Sequence, residues 1–496
     1  MTGSLLVAGT TSDAGKSAVT TGLCRAFARR GLRVAPYKAQ NMSNNSMVTA
    51  DGAEIGRAQW LQAIAARAEP EAAMNPVLLK PGSDRRSHVV VLGQPSGQLE
   101  AHEFAGGRKP LAQAAFAAFD DLTSRYDVVV CEGAGSPAEI NLRAHDYVNM
   151  GLAQHAGIAT VLVGDIDRGG VFAAMYGTLG LLDAADQALV AGFVINKFRG
   201  ERALLAPGLA TLEKLTGRRV LGVLPWLPGL WLDSEDSLAL GERRPQGEVE
   251  GDRLRVAVVR LPRVSNATDV DALGLEPGVE VTFADSPRGL AGADVVLIPG
   301  TRSTIEDLAW LRRRGLADAV HEHAGRGGVV LGICGGFQML GASVSDPLGI
   351  EGRPGACVEG LGLLEVRTEF TAEKVLRLPT GSAFGVAASG YEIHHGRVSV
   401  HAGEEFLGGA RSGAVFGTMW HGSLECDELR RAWLREAAAV AGLPSFVAGR
   451  TTFAAAREAR IDALADALEE HADLDTVLDL VRSGVPELPV VRGGLA

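Results

Sequence analysis

The sequence predicts two α/β domains in tandem, each built on a doubly wound, mostly parallel sheet. Three observations carry this expectation. The first half alternates short apolar runs with longer helical patterns, a second such series restarts after residue 253, and 496 residues exceed what one ordinary core fills. In the first series the runs at 5–8, 128–131, 159–163 and 191–195 are short and rich in small or β-branched residues. Each is followed by Gly, Asp, Glu or Asn and then by a longer segment, the pattern of buried parallel strands with crossover helices. Functional groups in such sheets gather at the carboxyl ends of the strands. Residues 241–253 are polar and turn-prone, and the domain boundary is placed there. The second series has its runs at 254–259, 295–298 and 328–333. The expected domains are 1–240 and 253–445, followed by a helical tail over 446–496. In that tail Ile461, Leu464, Leu468, Leu474, Val477, Leu478 and Val481 recur at helical spacing, predicting a hairpin of helices packed on one domain.

Composition narrows the functional classes. Hydrophobic residues at 46% against 22% charged give a globular, soluble balance. A net charge of −11 argues against a nucleic-acid partner, which would need a clustered basic surface, but leaves room for a local basic pocket. Cys24, Cys131, Cys334, Cys357 and Cys426 are odd in number and scattered, with no Cys-x-x-Cys pair, so neither a zinc site nor a disulfide framework is expected. No basic region precedes the short run Leu5-Leu6-Val7-Ala8, and no stretch approaches about 18 uninterrupted apolar residues. A cytoplasmic protein without a membrane span is the expectation.

Gly9-Thr10-Thr11-Ser12-Asp13-Ala14-Gly15-Lys16-Ser17 follows a predicted strand and opens a predicted helix, the context a phosphate-binding loop requires. Backbone N–H groups from Gly9 through Gly15 and the helix N-terminus would cradle phosphate oxygens, with Gly9, Thr10 and Gly15 lining the loop. Lys16 would neutralise the terminal phosphates of ATP, and the Ser17 hydroxyl would ligate Mg²⁺. Five residues separate the two glycines, one more than the common spacing.

Gly332-Ile333-Cys334-Gly335-Gly336 reads as a cysteine nucleophile on a tight strand-to-helix turn. Glycines are needed on both sides of such a bend because the backbone packs closely there. A helix beginning just after Cys334 presents its N-terminal dipole to a thiolate. The Gly335 N–H would point into an oxyanion hole, and Gln338, one turn on, faces the same pocket. For the base, His421 in Gly417-Thr418-Met419-Trp420-His421-Gly422 is the first choice, with His394 and His395 as rivals.

The long phosphate loop resembles that of dethiobiotin synthetase and its relatives. The resemblance implies a Mg²⁺-binding role for Glu132 at the end of a strand, a second acidic ligand in Glu54 at the start of a helix, and an adenine-edge contact for Asn196. The second half resembles a class I glutamine amidotransferase domain of the triad type. That implies Cys334 as the nucleophile that takes the glutamyl group as a thioester and His421 as its base, and it brings Gly300-Thr301 in to complete the oxyanion hole. The pattern departs at one place: the triad glutamate is expected two residues after the histidine, where this chain has Ser423. A Cys–His dyad with modest glutaminase activity, or an orienting acid such as Glu392 from elsewhere, is the inference.

Longer strings narrow the resemblance. They are Lys38-Ala39-Gln40-Asn41-Met42-Ser43-Asn44-Asn45-Ser46, Gly133-Ala134-Gly135-Ser136-Pro137-Ala138-Glu139-Ile140-Asn141-Leu142, Asp165-Ile166-Asp167-Arg168-Gly169-Gly170-Val171-Phe172, Asn196-Lys197-Phe198-Arg199-Gly200 and residues 390–396. Together, from about Gly9 to Trp433, they resemble the cobyric acid synthase family, glutamine-dependent amidases of cobalamin biosynthesis. The resemblance implies a ligase that uses ATP, Mg²⁺ and L-glutamine to amidate the b, d, e and g carboxylates of adenosylcobyrinic acid a,c-diamide through an acyl phosphate. Lys38, Gln40, Asn41 and Asn44 would line the corrinoid or phosphoryl-transfer region, Lys38 suiting an anionic oxygen. Three alternatives are set against this reading, one of them, left open by Ser423, being that the cysteine domain is inactive and the protein uses free ammonia. The sister cobyrinic acid a,c-diamide synthases carry a Gly-Pro-Asp-Tyr-Ile-Asp type string where this chain has Lys-Ala-Gln-Asn-Met-Ser-Asn-Asn. Nucleotide-switched partitioning ATPases carry an early loop lysine where Thr10 and Thr11 stand here. Oligomeric state, the order of amidations and the need for the adenosyl group do not follow from sequence.

Overall fold

The computed structural model describes residues 3–82, 86–100, 108–228 and 251–491. The expected boundary at 241–253 therefore lies, except for its last three residues, outside the described residues. Among the described residues two parallel sheets form the frame. The first has six strands in the order Arg219–Pro225, Val190–Phe198, Ala159–Asp165, Gly3–Gly9, Val128–Glu132 and Val34–Tyr37, all parallel. Their inward positions are Val, Ile, Leu, Ala and Phe and are almost wholly buried, which is why these strands read as continuous apolar runs. Helices Lys16–Arg29 and Arg108–Arg125 lie among those that cover the faces. A smaller four-stranded sheet (Gln40–Met42, Val77–Pro81, Arg86–Val91, Gln94–Glu100) extends this half.

The second sheet has seven strands in the order Val279–Ala284, Leu254–Val259, Val295–Ile298, Val329–Ile333, Val415–Thr418, Gly409–Ser412 and Glu404–Phe406. The first five pair in parallel, and the last two turn back antiparallel as an edge. Beside it a four-stranded sheet is dominated by the long pair Val366–Arg377 and Glu392–Val400.

The tail forms two helices, Phe453–His471 and Leu474–Ser483, which pack on the first domain except at the start of the first helix, where Phe453 and Arg457 meet the second. Ile461, Leu468, Leu474, Val477, Leu478 and Val481 join the core that contains Leu5, Val7 and Val19. Arg25, itself buried, holds Glu458 at 2.7 Å and Asp462 at 3.1 Å across that contact. Phe453, at the start of the tail, belongs to the core of the second domain, so the tail ties one domain to the other.

The domains also meet directly. Asn45 and Asn266 exchange hydrogen bonds: Ser46 N donates to Asn266 Oδ1 at 2.9 Å and Ala267 N donates to Asn45 Oδ1 at 3.1 Å. Met47 and Val48 pack against Tyr391 and Ile393 of the second domain. Arg57 and Arg457 both pair with Glu425, at 2.6 and 2.8 Å. No helix among the described residues is long and apolar enough to cross a membrane.

Candidate active sites

In the first domain the loop after strand Gly3–Gly9 faces Glu132, at the end of the neighbouring parallel strand, and Lys38, just beyond the strand on its other side. The register of three strands thus converges on one carboxylate. Glu132 Oε1 accepts from Ser17 Oγ at 2.8 Å and from Lys38 Nζ at 2.9 Å, and Gln62 donates to Oε2. Burial works against its charge, but the Lys38 ammonium and these hydrogen bonds prevail and hold Glu132 below the usual carboxylate range. Lys16 Nζ donates to the carbonyls of Thr11, Ser12 and Gly135 at 2.9–3.0 Å, placing its charge inside the loop. Gly15 sits at φ 96°, and a Cβ there would come within 2.0 Å of Asn196 Nδ2. Only glycine meets both demands.

The strand expected to end at Asn196 runs on to Phe198, and Asn196 Nδ2 donates to the Ala14 carbonyl at 3.0 Å, so the side chain braces the loop. Asp13, Asp165 and Arg168 gather at the same mouth through the Arg168–Asp13 pair at 2.7 Å and the Lys197–Asp165 pair at 2.8 Å. Ser17 and Glu132 present hard oxygen donors side by side, a set that fits Mg²⁺.

Glu54 is a correction. It lies in a short strand, Glu54–Gly56, ahead of helix Arg57–Ala66, and not at the phosphate loop. Its carboxylate takes Lys80 Nζ at 2.7 Å and Ser46 Oγ at 2.9 Å on one oxygen and Lys374 of the second domain on the other. Two ammonium groups already satisfy it and would repel a cation, so this is an interdomain ion cluster and not a metal ligand. Among the described residues no group of three or more His, Cys, Asp or Glu could hold a metal.

The string from Lys38 joins the two halves. Lys38 pairs with Glu132, Gln40 accepts from the Tyr147 hydroxyl, and Asn41 Nδ2 donates to Gln59 at 2.9 Å. Asn44 Nδ2 reaches the Pro81 carbonyl at 3.5 Å, and Asn45 then clasps the second domain. Gln40, Asn41 and Asn44 thus have protein partners away from the glycine-rich loop, and Lys38 is the member that shares Glu132 with Ser17.

In the second domain Cys334 follows strand Val329–Ile333 and begins helix Gly335–Leu340, with φ 49° and ψ −107°. A non-glycine residue at that φ is strained, as a nucleophile elbow requires. A Cβ on Gly336 would lie 2.0 Å from the Ile298 carbonyl, and one on Gly335 would lie 3.0 Å from the Thr301 nitrogen. The glycines therefore let the cysteine turn seat against the Pro299–Thr301 loop, bringing the Gly335 and Thr301 amides to one place. Gly300 is equally tight: a Cβ there would meet His421 Cε1 at 2.7 Å. Gln338 is buried, and its Oε1 accepts from Thr304 Oγ1 at 3.1 Å.

His421 follows the adjacent parallel strand Val415–Thr418, and the Cys334 amide donates to the Thr418 carbonyl at 2.7 Å, locking the two strand ends together. His421 is in hydrogen-bonding contact with Cys334. Its Nδ1 donates to Asp269 Oδ2 at 2.7 Å, and Gly422 N donates to Asp269 Oδ1 at 2.7 Å. The missing acid is therefore Asp269, in the 3₁₀ segment Ala267–Leu275, and the dyad expectation is replaced by a Cys334–His421–Asp269 triad. Burial opposes a charged imidazole, but Asp269 and the Cys334 sulfur outweigh it and raise His421 to about 10. Glu392 is engaged elsewhere, with Arg377 at 2.7 Å. His394 and His395 line the cavity around Cys334.

Asp269 could not be singled out from sequence. It lies in Ser265-Asn266-Ala267-Thr268-Asp269-Val270-Asp271, where nothing distinguishes it from Asp271, and it is 152 residues from His421.

Comparison with known proteins is consistent across the chain. Residues 5–238 match the CobQ/CobB/MinD/ParA nucleotide binding domain, and residues 255–428 match the CobB/CobQ-like glutamine amidotransferase domain. The chain is 65% identical over 500 residues to a cobyric acid synthase of Mycolicibacterium gilvum, covering 100% of both. It is 65% identical over 498 residues to one of Mycobacterium tuberculosis and 64% identical over 496 residues to one of Mycobacterium marinum, covering 99% of each chain in both cases. A solved glutamine amidotransferase aligns at 21% identity over 38% of this chain and 99% of its own, with a TM-score of 0.31, too low to bear weight.

Proposed function

The chain belongs to the cobyric acid synthase family, and on that premise we propose that it amidates the b, d, e and g carboxylates of adenosylcobyrinic acid a,c-diamide with ATP and glutamine, in the cytoplasm. Membership makes it a glutamine-hydrolysing amidating ligase of cobalamin biosynthesis. The finer assignment of steps to residues is our reading.

A carboxylate does not react with ammonia until one oxygen becomes a good leaving group. The first site supplies that activation by transferring the ATP γ-phosphoryl group to the substrate carboxylate. Lys16 and the loop amides hold the phosphates, and Lys38 is placed to hold the attacking carboxylate or the transferred group. Mg²⁺ held by Ser17 and Glu132 would offset the charge on the phosphoryl oxygens. At the second site the Cys334 thiolate attacks the glutamine carboxamide, the Gly335 and Thr301 amides receive the oxyanion, and His421 protonates the departing ammonia. Asp269 keeps His421 in the tautomer and charge state for that transfer. Water then releases glutamate from the thioester.

One observation carries the union of these half-reactions. The narrow cavity lined by Cys334, Gln338 and His394 is lined also by Lys80 of the first domain. Ammonia released at Cys334 thus starts in a cavity that both halves line. The two ammonium groups there, Lys80 and Lys374, repel ammonium and leave neutral ammonia free to pass. The assembled triad also disfavours a nucleotide switch, which has no use for one.

The test is mass spectrometry of the corrinoid diamide after incubation with MgATP and glutamine. Four successive losses of about one mass unit are expected, one per carboxylate converted to carboxamide. ATP turnover without any mass change would overturn the corrinoid assignment.

A further inference from the structure

The segment that carries the triad acid begins without a cap of its own. Asn266 stands at its N-cap position in the left-handed region, φ 51° and ψ 46°, and its side chain makes no cap hydrogen bond to the segment Ala267–Leu275. The first amides of a helical turn have no partner inside it, and an N-cap side chain ordinarily accepts from one of them. Here the first domain supplies the acceptor. We infer that Asn45 is a positioning residue for glutamine hydrolysis, capping the Asp269 segment from the other domain so that Asp269 meets His421. The inference rests on the reading that Cys334 hydrolyses glutamine.

The contact is reciprocal and buried. Asn45 Oδ1 accepts from Ala267 N at 3.1 Å, while Asn266 Oδ1 accepts from Ser46 N at 2.9 Å. Asn45, Ser46, Asn266 and Ala267 are all buried, so removing Asn45 Oδ1 leaves the Ala267 amide shielded from water and without its acceptor. Asn45 is itself held: its N donates to Ser43 Oγ at 3.0 Å, and its carbonyl accepts from Arg57 N at 3.0 Å. On the other side the Asn266 carbonyl accepts from Asp269 N at 3.0 Å, and the two Asp269 carboxylate oxygens take His421 and Gly422. A short series of hydrogen bonds thus leads from Asn45 to the imidazole.

Independent contacts brace the histidine from the same stretch of the first domain. Met47 and Val48 pack against Tyr391. The Tyr391 ring stacks on the His421 imidazole, with centroids 5.4 Å apart and planes inclined by 26°, and the two residues exchange backbone hydrogen bonds at 2.9 and 3.0 Å. Arg57, whose amide Asn45 holds, pairs with Glu425 at 2.6 Å, and the Glu425 amide donates to the Gly422 carbonyl at 2.9 Å. The acid and the base of the triad are therefore both backed by residues between 45 and 57. The same run of chain starts at Lys38 on Glu132, so one segment touches both sites.

The experiment uses the full chain with MgATP and corrinoid diamide, and reads two rates on each preparation: glutamate release from glutamine, and amidation driven by ammonium. Asn45→Ala should lower the first relative to the second by about ten-fold or more, in kcat, with KM for glutamine within about two-fold of wild type. The ratio is taken within one preparation and so does not depend on the fraction folded. Asn45→Asp keeps the accepting oxygen at a helical N-terminus, where a carboxylate is favoured, and should hold the ratio within about three-fold of wild type. The double variant tests the route. Acting through Asp269, Asn45→Ala should lower glutamate release by less than about two-fold in the Asp269→Asn background. Equal loss with both nitrogen donors, or the full loss repeated on top of Asp269→Asn, would overturn the inference. Wild-type protein that releases no glutamate from glutamine would instead sink the underlying glutaminase reading.

Discussion

Replacing Asp269 by Asn tests the triad most directly. His421 and Asp269 have side chains only 1% and 2% exposed, so no water screens the pair, and the Asp269 carboxylate also holds the Gly422 amide. Removing one charge from a buried pair costs about 3–5 kcal/mol, which corresponds to about a 10²–10⁴-fold loss of rate where the pair is needed in the transition state. Asn would also offer an N–H₂ group to a nitrogen that must itself donate, turning the imidazole to the wrong tautomer. The pH dependence follows from the same contact. His421 is raised from 6.5 to about 10, so the imidazolium, with the stability and thiolate pairing it brings, is fully present below pH 6.5 and lost as pH rises through about 10. Without the Asp269 charge, burial is opposed by Cys334 alone, and the alkaline limb of glutamine hydrolysis should move acidward by more than about one pH unit. The assay is glutamate release across pH 6–11. A loss under about ten-fold with the alkaline limb in place would refute Asp269 as the orienting acid.

Three further outcomes are expected. Cys334→Ala should abolish glutamine-driven amidation and retain ammonium-driven amidation, read by corrinoid mass; equal loss with both nitrogen donors would count against separate sites. Glu54→Gln leaves the buried Lys80 and Lys374 ammonium groups sharing no counter-charge, and should cost about 3 kcal/mol or more in urea unfolding at neutral pH. Burial opposes the Glu54 charge but the two lysines hold it well below the usual carboxylate range, so in the wild type this stabilisation is present above the ordinary carboxylate pKa and lost only as pH falls far into acid. Gly15→Ala should weaken ATP binding by roughly ten-fold or more, because the new Cβ needs an unfavourable φ and meets Asn196 at 2.0 Å. Isothermal titration with a non-hydrolysable ATP analogue would show it.

Local pattern was enough to read the strands that carry the chemistry. Parallel strands buried on both faces are continuous apolar runs, and the residue that ends each run falls at the carboxyl edge of the sheet, where Gly9, Glu132, Asn196, Cys334 and His421 all stand. The glycines of both turns were legible for the same reason: close backbone approach restricts residue type at a fixed offset from the reactive group. Side chains whose meaning lies in a distant partner were not. Glu54 has the type and rough position of a metal ligand, yet its partners are Lys80 and, 320 residues away in the other domain, Lys374. Asp269 reaches His421 only because the 3₁₀ segment after one strand folds over the end of another.

Sequence by itself thus made legible the two sheets, the glycine-rich loop and the cysteine turn, because each depends on residues close by in the chain, while the choice of His421 over His394 and His395 came from the resemblance. Tertiary structure alone decided which acid meets His421, which charges surround Glu54, and that a first-domain residue, Lys80, lines the Cys334 cavity. A carboxylate has the same composition whether it orients a histidine, binds a cation or locks an interface. Only the charges that surround it in the folded chain tell these roles apart.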